Sequence, residues 1–242
     1  MSQNTPDNAA SGTPEWPTRF AELAQSAQDT RLIRYYSAGC VSGDTPIGDT
    51  SMVSLDFETT GLDPTFHSIV SIGLVPFDAQ RIRCRESRHW IVRPVLPLHR
   101  ESVTFHGITH SEISAAPDLR EILDEVLEAL AGKIVVVHYR SIERQFLDQA
   151  LRWRLNEGIE FPVIDTMALE ARLHRNKRPG LLDWVRKRKP VSIRLADSRT
   201  RYGLPYYAPH HALTDALATA ELLQAQLQYH YSPETPLREL WY

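Results

Sequence analysis

Residues Ser51–Asp63 read SMVSLDFETTGLD, and the fold turns on how that run is interpreted. Met52, Val53 and Leu55 form an apolar, β-favouring stretch of a buried strand. Asp56 and Glu58 arrive where that strand should be ending. Side chains two apart on a strand share a face, so the two carboxylates aim at one point. Thr59, Thr60 and Gly61 then supply turn chemistry. Two carboxylates ~4 Å apart repel by about 4 kcal/mol at an effective dielectric of ~20. A cation between them removes that cost; the alternative is a solvated strand end with two unrelated acids.

The rest of the chain places this strand in an α/β architecture. Ser68 to Phe77 and His89 to Val95 read as two further strands, with Ile82 to Arg88 either a turn or part of the third. The short connections predict an antiparallel meander. Within the segment FHGITHSEI, Thr109 or Ser111 caps a helix. Leu119, Ile122, Leu123, Val126, Leu127 and Leu130 form a helical stripe that Gly132 ends. Lys133 to His138 is a buried strand, Ser141 to Leu155 a helix, and Phe161 to Asp165 a fifth strand. Met167 to Leu173 and Leu181 to Arg188 predict helices, Val191 to Pro209 irregular chain, and His210 to Gln228 a strong final helix. That order gives a mixed sheet, whose ligands sit at the carboxyl ends of its strands.

Residues 1–48 read as an N-terminal extension, disordered over 1–14 and carrying short amphipathic helices over 15–38. Those helices are the candidate docking element for a protein partner or a second copy of the chain. A Gly, Ser, Thr and Pro-rich linker covers 39–49, the catalytic-looking domain 49–232, and a tail 233–242. The chain has 242 residues, 42% hydrophobic and 24% charged, ample for a core. A net charge of −3 means that any phosphate-binding surface is local rather than global. Cys40 and Cys84 are far apart and fit no metal or disulfide framework. No apolar run approaches the ~20 residues of a membrane span, and the first residues lack a signal pattern, so a cytoplasmic location is expected.

Two more acid positions belong with the first pair. Glu143 opens the helix after His138, and a helix start leaves amides free to satisfy a carboxylate. An exposed first-turn acid is the other reading. Asp215 follows His210 by five residues and His211 by four. His210 must therefore sit at the helix entry to reach Asp215; packing or capping is the alternative for a histidine there.

These residues resemble the DEDD 3′–5′ exonucleases, in the DEDDh branch of epsilon-type proofreading subunits and ribonuclease T-like enzymes. The first motif stands here as LDFETTGLD, the second as HYRSIERQFL and the third as HHALTDALATAELL, with softer matches at FHGIT and IDTMAL. The resemblance runs from about Met52 to about Leu227. It implies a ribonuclease H-like fold, a mixed five-stranded sheet flanked by helices. It also implies two divalent metal ions, Mg²⁺ or Mn²⁺, held by Asp56, Glu58, Glu143 and Asp215, with His210 as general base. The nucleic acid 3′ end would lie against Thr59, Thr60, Gly61, Leu62, His106, Gly107 and Tyr139. Hard oxygen ligands select such ions, and an imidazole titrates near neutral pH.

The sequence departs from the family at two positions. Glu143 stands where an Asp is usual and Tyr139 where an Asn is usual. One methylene moves a carboxylate by up to about 1.5 Å. The reading is an active nuclease with altered metal preference; its rival is a nuclease-fold binding or regulatory module with weak or lost turnover. Basic runs at Arg172 to Arg188 and Arg194 to Arg201 offer phosphate contacts, and Tyr202, Tyr206 and Tyr207 offer stacking surfaces. A solvated face and ordinary packing are the alternatives.

Overall fold

The computed structural model describes residues 13–95, 107–174 and 191–242. Five strands form one sheet in the order β3-β2-β1-β4-β5. They are β1 (Met52–Thr59), β2 (Ile69–Phe77), β3 (Arg88–Ile91), β4 (Ile134–Val137) and β5 (Val163–Asp165). β1 is antiparallel to β2, and β2 to β3, as the short connections predict. β4 runs parallel to β1 and β5 parallel to β4. β1 is therefore the central strand, which suits its buried Met52, Val53 and Leu55. All four residues of β4 are buried, as expected of a parallel strand covered on both faces.

The helices among the described residues are α1 (Trp16–Ser26), α2 (Thr30–Ser37), α3 (His110–Ala115), α4 (Leu119–Leu130), α5 (Arg140–Leu155), α6 (Thr166–His174), α7 (Leu195–Arg201) and α8 (Ala212–His230). α4 buries the whole predicted stripe and starts in a capping box between Asp118 and Glu121. α5 is entered through Tyr139 at φ 90 and ends at Asn156 at φ 59. α8 lies against β1 and β2.

One open reading is resolved, one expectation changes and one is not covered. Ile82 to Ser87 is a turn, bridged once to Phe77 and containing a 3₁₀ turn over Cys84–Glu86, while Arg88 opens β3. The stretch expected to be irregular contains α7. Its buried positions include Ser198 and Arg199, so no apolar stripe announced it. The helix expected over Leu181 to Arg188 lies outside the described residues.

The N-terminal helices share the main core. Trp16, Phe20, Leu32, Tyr35 and Tyr36 are buried with residues of all the central strands. Phe20 packs edge-on against Tyr36 with ring centroids 5.3 Å apart. Arg19 and Glu160, and Glu157 with the amides of Gln28 and Asp29, tie α1 and α2 to the β5 side. The linker and the tail also meet. Ile47 and Gly48 donate amides to Thr235 and Pro233, while Leu237 and Arg238 donate to Thr45 and Gly43, at 2.9–3.0 Å. Farther along, Trp241 bridges Ile164 of β5. No helix of the described residues is long and apolar enough to cross a membrane.

Candidate active site

Strand alternation, a glycine and two helix starts build the acidic site. Asp56 and Glu58 share one face of β1, opposite Gly73 and Ser71 of β2. Gly73 matters because the start of α8 rests on it: a Cβ there would sit 2.2 Å from the Ala212 carbonyl oxygen. That close approach brings Asp215, in the first turn of α8, to the acids of β1. Asp56, Glu58 and Asp215 each offer a carboxylate oxygen, all within 4.8 Å of one another. The His210 amide donates to Asp215 Oδ2 at 2.8 Å, and His210 itself takes φ 70 with its residue exposed.

Glu143 sits in the first turn of α5 and is 2% exposed. Of the amides at this helix start, Glu143's own serves its carboxylate, and the two before it go elsewhere. Tyr139 and Arg140 donate theirs to Asp165, at 3.0 and 3.1 Å. Glu143 Oε2 is left buried without a hydrogen-bond partner in the protein. Burial, and then the charges of Glu143, Asp215 and Glu58, push the Asp56 carboxyl far above the usual range. Burial does the same to Glu143. Burial and the Asp215 charge raise Glu58 to about 7, and burial raises Asp215. The structure thus draws Asp56, Glu58 and Asp215 into one cluster, with Glu143 acting on Asp56 and His210 bonded to Asp215. Carboxylates this close, with no cationic side chain among them, suit cationic ligands, and an all-oxygen donor set fits Mg²⁺ or Mn²⁺.

The expected nucleotide-binding residues divide. Thr59 Oγ1 donates to the Gly61 carbonyl at 2.7 Å, and Thr60 Oγ1 accepts from the Ser68 amide at 2.9 Å. Both hydroxyls therefore shape the turn. A Cβ on Gly61 would lie 2.3 Å from the His67 ring. Leu62 is 84% exposed, and Tyr139 projects about half exposed beside the site. Gly107 takes φ 67, while His106 lies outside the described residues. Phe66, 70% exposed in the same loop as Leu62, was not singled out by the motif; its polar, turn-rich surroundings hid it.

The basic runs are corrected in part. Arg199 is buried and bonds to Glu221 and to the Ala218 and Pro205 carbonyls. Arg201 bonds to Glu170 and to the Ser192 carbonyl. These arginines hold α7 to the protein and are not free for phosphate. Tyr202 and Tyr207 donate their hydroxyls to Glu170 and Glu221, whereas Tyr206 is largely exposed. Arg172 stacks on Tyr242 with its guanidinium 5.0 Å from the ring centroid. Most of the run from Arg172 to Arg188 lies outside the described residues. Sequence reading also missed Asp165 as a nest for α5, and His89, whose ring lies 4.8 Å from that of His211. Burial and the neighbouring His211 keep the His89 pKa low.

Comparison with known proteins agrees with this geometry. The RNase_T exonuclease family matches residues 53–223, more than half of the chain. A "DNA polymerase III PolC-type" protein of Thermotoga maritima is 31% identical over 182 residues, 75% of this chain but 12% of that protein. A "DNA polymerase III subunit epsilon-like protein" of Rhodobacter capsulatus is 30% identical over 74% of this chain and 24% of its own length. The chain thus spans well under a third of these two relatives. Among solved structures, the nuclease domain of 3′hExo, a DEDDh family member bound to rAMP, superposes with a TM-score of 0.61. It shares 17% identity, over 74% of this chain and 92% of that one. That likeness is one of fold: the ribonuclease H-like mixed sheet described above. The matched family and the order of the acidic motifs lead to one conclusion: the chain belongs to the RNase_T exonuclease family.

Proposed function

We propose, beyond the nuclease function that membership carries, that this chain removes nucleotides from the 3′ ends of single-stranded DNA or RNA with two divalent ions. The observation that carries the reading is the cluster of Asp56, Glu58 and Asp215 within 4.8 Å. The unpartnered Glu143 Oε2 beside it supports a second cation. Bound there, the ions would activate the attacking water and stabilise the leaving 3′ oxygen of a phosphodiester. In this reading Asp56, Glu58 and Asp215, with Glu143, would hold the ions. His210 accepts the proton of the water from the entry of α8. Leu62 and Phe66 offer exposed apolar surface to the terminal base, and Tyr139 takes the place of the usual Asn contact.

The test uses a single-stranded oligonucleotide with Mg²⁺ or Mn²⁺. A 3′ label should leave as a mononucleotide at once, while a 5′ label should yield a descending ladder. His210→Ala should lower cleavage by ~10²–10⁴-fold. Cleavage of a circular strand, or early release of a 5′ label, would overturn the direction; unimpaired cleavage by both Asp56→Ala and His210→Ala would overturn the site. A second reading, a nucleic-acid-binding module with little turnover, has Glu143 as its motive. It predicts near-zero wild-type rates and a sharp rise in Glu143→Asp.

The first two relatives carry polymerase names, which makes a replication assembly the partner class to test by pull-down. The apolar faces of α1 and α2 are taken up by the chain's own core, so a partner or second copy docking there would meet their polar side.

A further inference from the structure

The sheet row that begins at Asp56 continues through Gly73 to His89, because Asp56 pairs with Gly73 and Gly73 with His89. Cross-strand partners present side chains on one face. His89 therefore stands on the acidic face, two strands from Asp56, with a residue lacking a side chain between them. The start of α8 fills that gap, its Ala212 backbone seated over Gly73. Beyond the gap the imidazoles of His89 and His211 stack, with centroids 4.8 Å apart and planes inclined by 34°. Ser71 stands on the same face, two residues along β2 from Gly73, and its Oγ shares a 2.8 Å hydrogen bond with His89 Nε2. From the helix side, His211 Nδ1 accepts from the Thr214 amide at 3.4 Å.

His210 is the next residue, and its φ of 70 lies where a residue with a side chain is strained. Such a conformation costs about 1–3 kcal/mol and persists only where its surroundings enforce it. One enforcing contact is the His210 amide on Asp215. The other is the neighbour His211, gripped between the His89 ring and Thr214. We infer that His89, with Ser71 behind it, is a positioning residue for His210. Its ring fixes His211, and through it the left-handed backbone that keeps the His210 imidazole at the carboxylate cluster. The inference rests on the exonuclease reading, in which His210 takes the proton. A stack that merely stabilises the sheet edge would lower melting temperature and leave turnover per folded molecule alone.

Steady-state cleavage of a single-stranded oligonucleotide separates these. His89→Ala should lower kcat by ~10–100-fold, the cost of displacing a reacting group by up to ~1 Å, with KM changed by less than about threefold. His89→Phe keeps a stacking ring without the Ser71 bond and should recover most of kcat; Ser71→Ala should cost about fivefold or less. In the metal-free protein, the His210 amide should exchange with solvent faster in His89→Ala than in wild type or His89→Phe. Unchanged kcat in His89→Ala beside an inactive His210→Ala would overturn the inference, as would equal losses in the Ala and Phe variants. A wild type without cleavage would overturn the exonuclease reading instead, and amide exchange would then decide the clamp by itself.

Discussion

Two groups of buried or half-buried carboxylates stand within this fold, and they are treated oppositely. Asp165 receives the amides of Tyr139, Arg140 and Met167 and the Arg140 guanidinium, all at 3.0–3.1 Å. Glu170, wholly buried, receives Arg201, Tyr202 and Gln226. Burial pushes Glu170 up, but those hydrogen bonds more than offset it and leave its pKa below the usual value. At the acidic face the balance is reversed. Asp56, Glu58 and Glu143 are driven up chiefly by burial, with further pushes from the charges of Glu143, Asp215 and Glu58 on Asp56, of Asp215 on Glu58 and of Asp165 on Glu143. The difference separates two uses of a buried acid. An acid whose protein donors offset its burial holds elements together; one with too few of them waits for a ligand the protein does not supply. The two uses are adjacent, since Asp165 claims the amides at the very helix start that carries Glu143.

The contrast is broken most severely at Asp56. Asp56→Asn should lower cleavage by ~10³-fold or more, because several kcal/mol of charge stabilisation are lost. The same change should raise the metal-free melting temperature by about 3 °C, the effect of ~1 kcal/mol in a domain of this size. A fall in melting temperature would mean that the site is not strained. Asp165→Ala should do the reverse: it leaves amides and a guanidinium unpaired and costs about 3 kcal/mol, read by urea titration. A loss under ~1 kcal/mol would remove Asp165 from the structural group. Next is the pH dependence of the metal-free protein. Glu58 is raised from 4.5 to about 7, so the folded state binds more protons than the unfolded one between those values. Stability should therefore fall as pH rises through that window, and millimolar Mn²⁺ should flatten the slope. A metal-free stability that climbs from pH 5 to 7 would contradict the raised value. The smallest effect is expected where neither kind of burial operates. Arg34 pairs with Asp124 at side-chain exposures of 70% and 58%, and Arg34→Ala should change stability by less than ~0.5 kcal/mol.

The acids of the candidate site were legible because local spacing set them. Asp56 and Glu58 alternate on a strand, and His210 and Asp215 flank a helix start, so their convergence follows from backbone geometry alone. The strands β1, β2 and β4 and the stripe of α4 were legible for the same reason. What was hidden depends on partners distant in sequence. Nothing near Asp165 says that it will take the amides of Tyr139 and Arg140. Gly73 reads as an ordinary strand glycine until the Ala212 backbone is laid across it. α7 escaped because Arg199 is buried among carbonyls and Glu221, an arrangement that apolar periodicity cannot report. The pairing of linker with tail is likewise non-local.

That last pairing has a consequence for engineering. Residues 43–48 and 233–238 are hydrogen-bonded to each other, so the path into the sheet and the path out of it run side by side. Because Trp16, Phe20, Tyr35 and Tyr36 before that seam and Leu240 and Trp241 after it pack into the core, a graft of the sheet into a host protein has to carry both flanks with it.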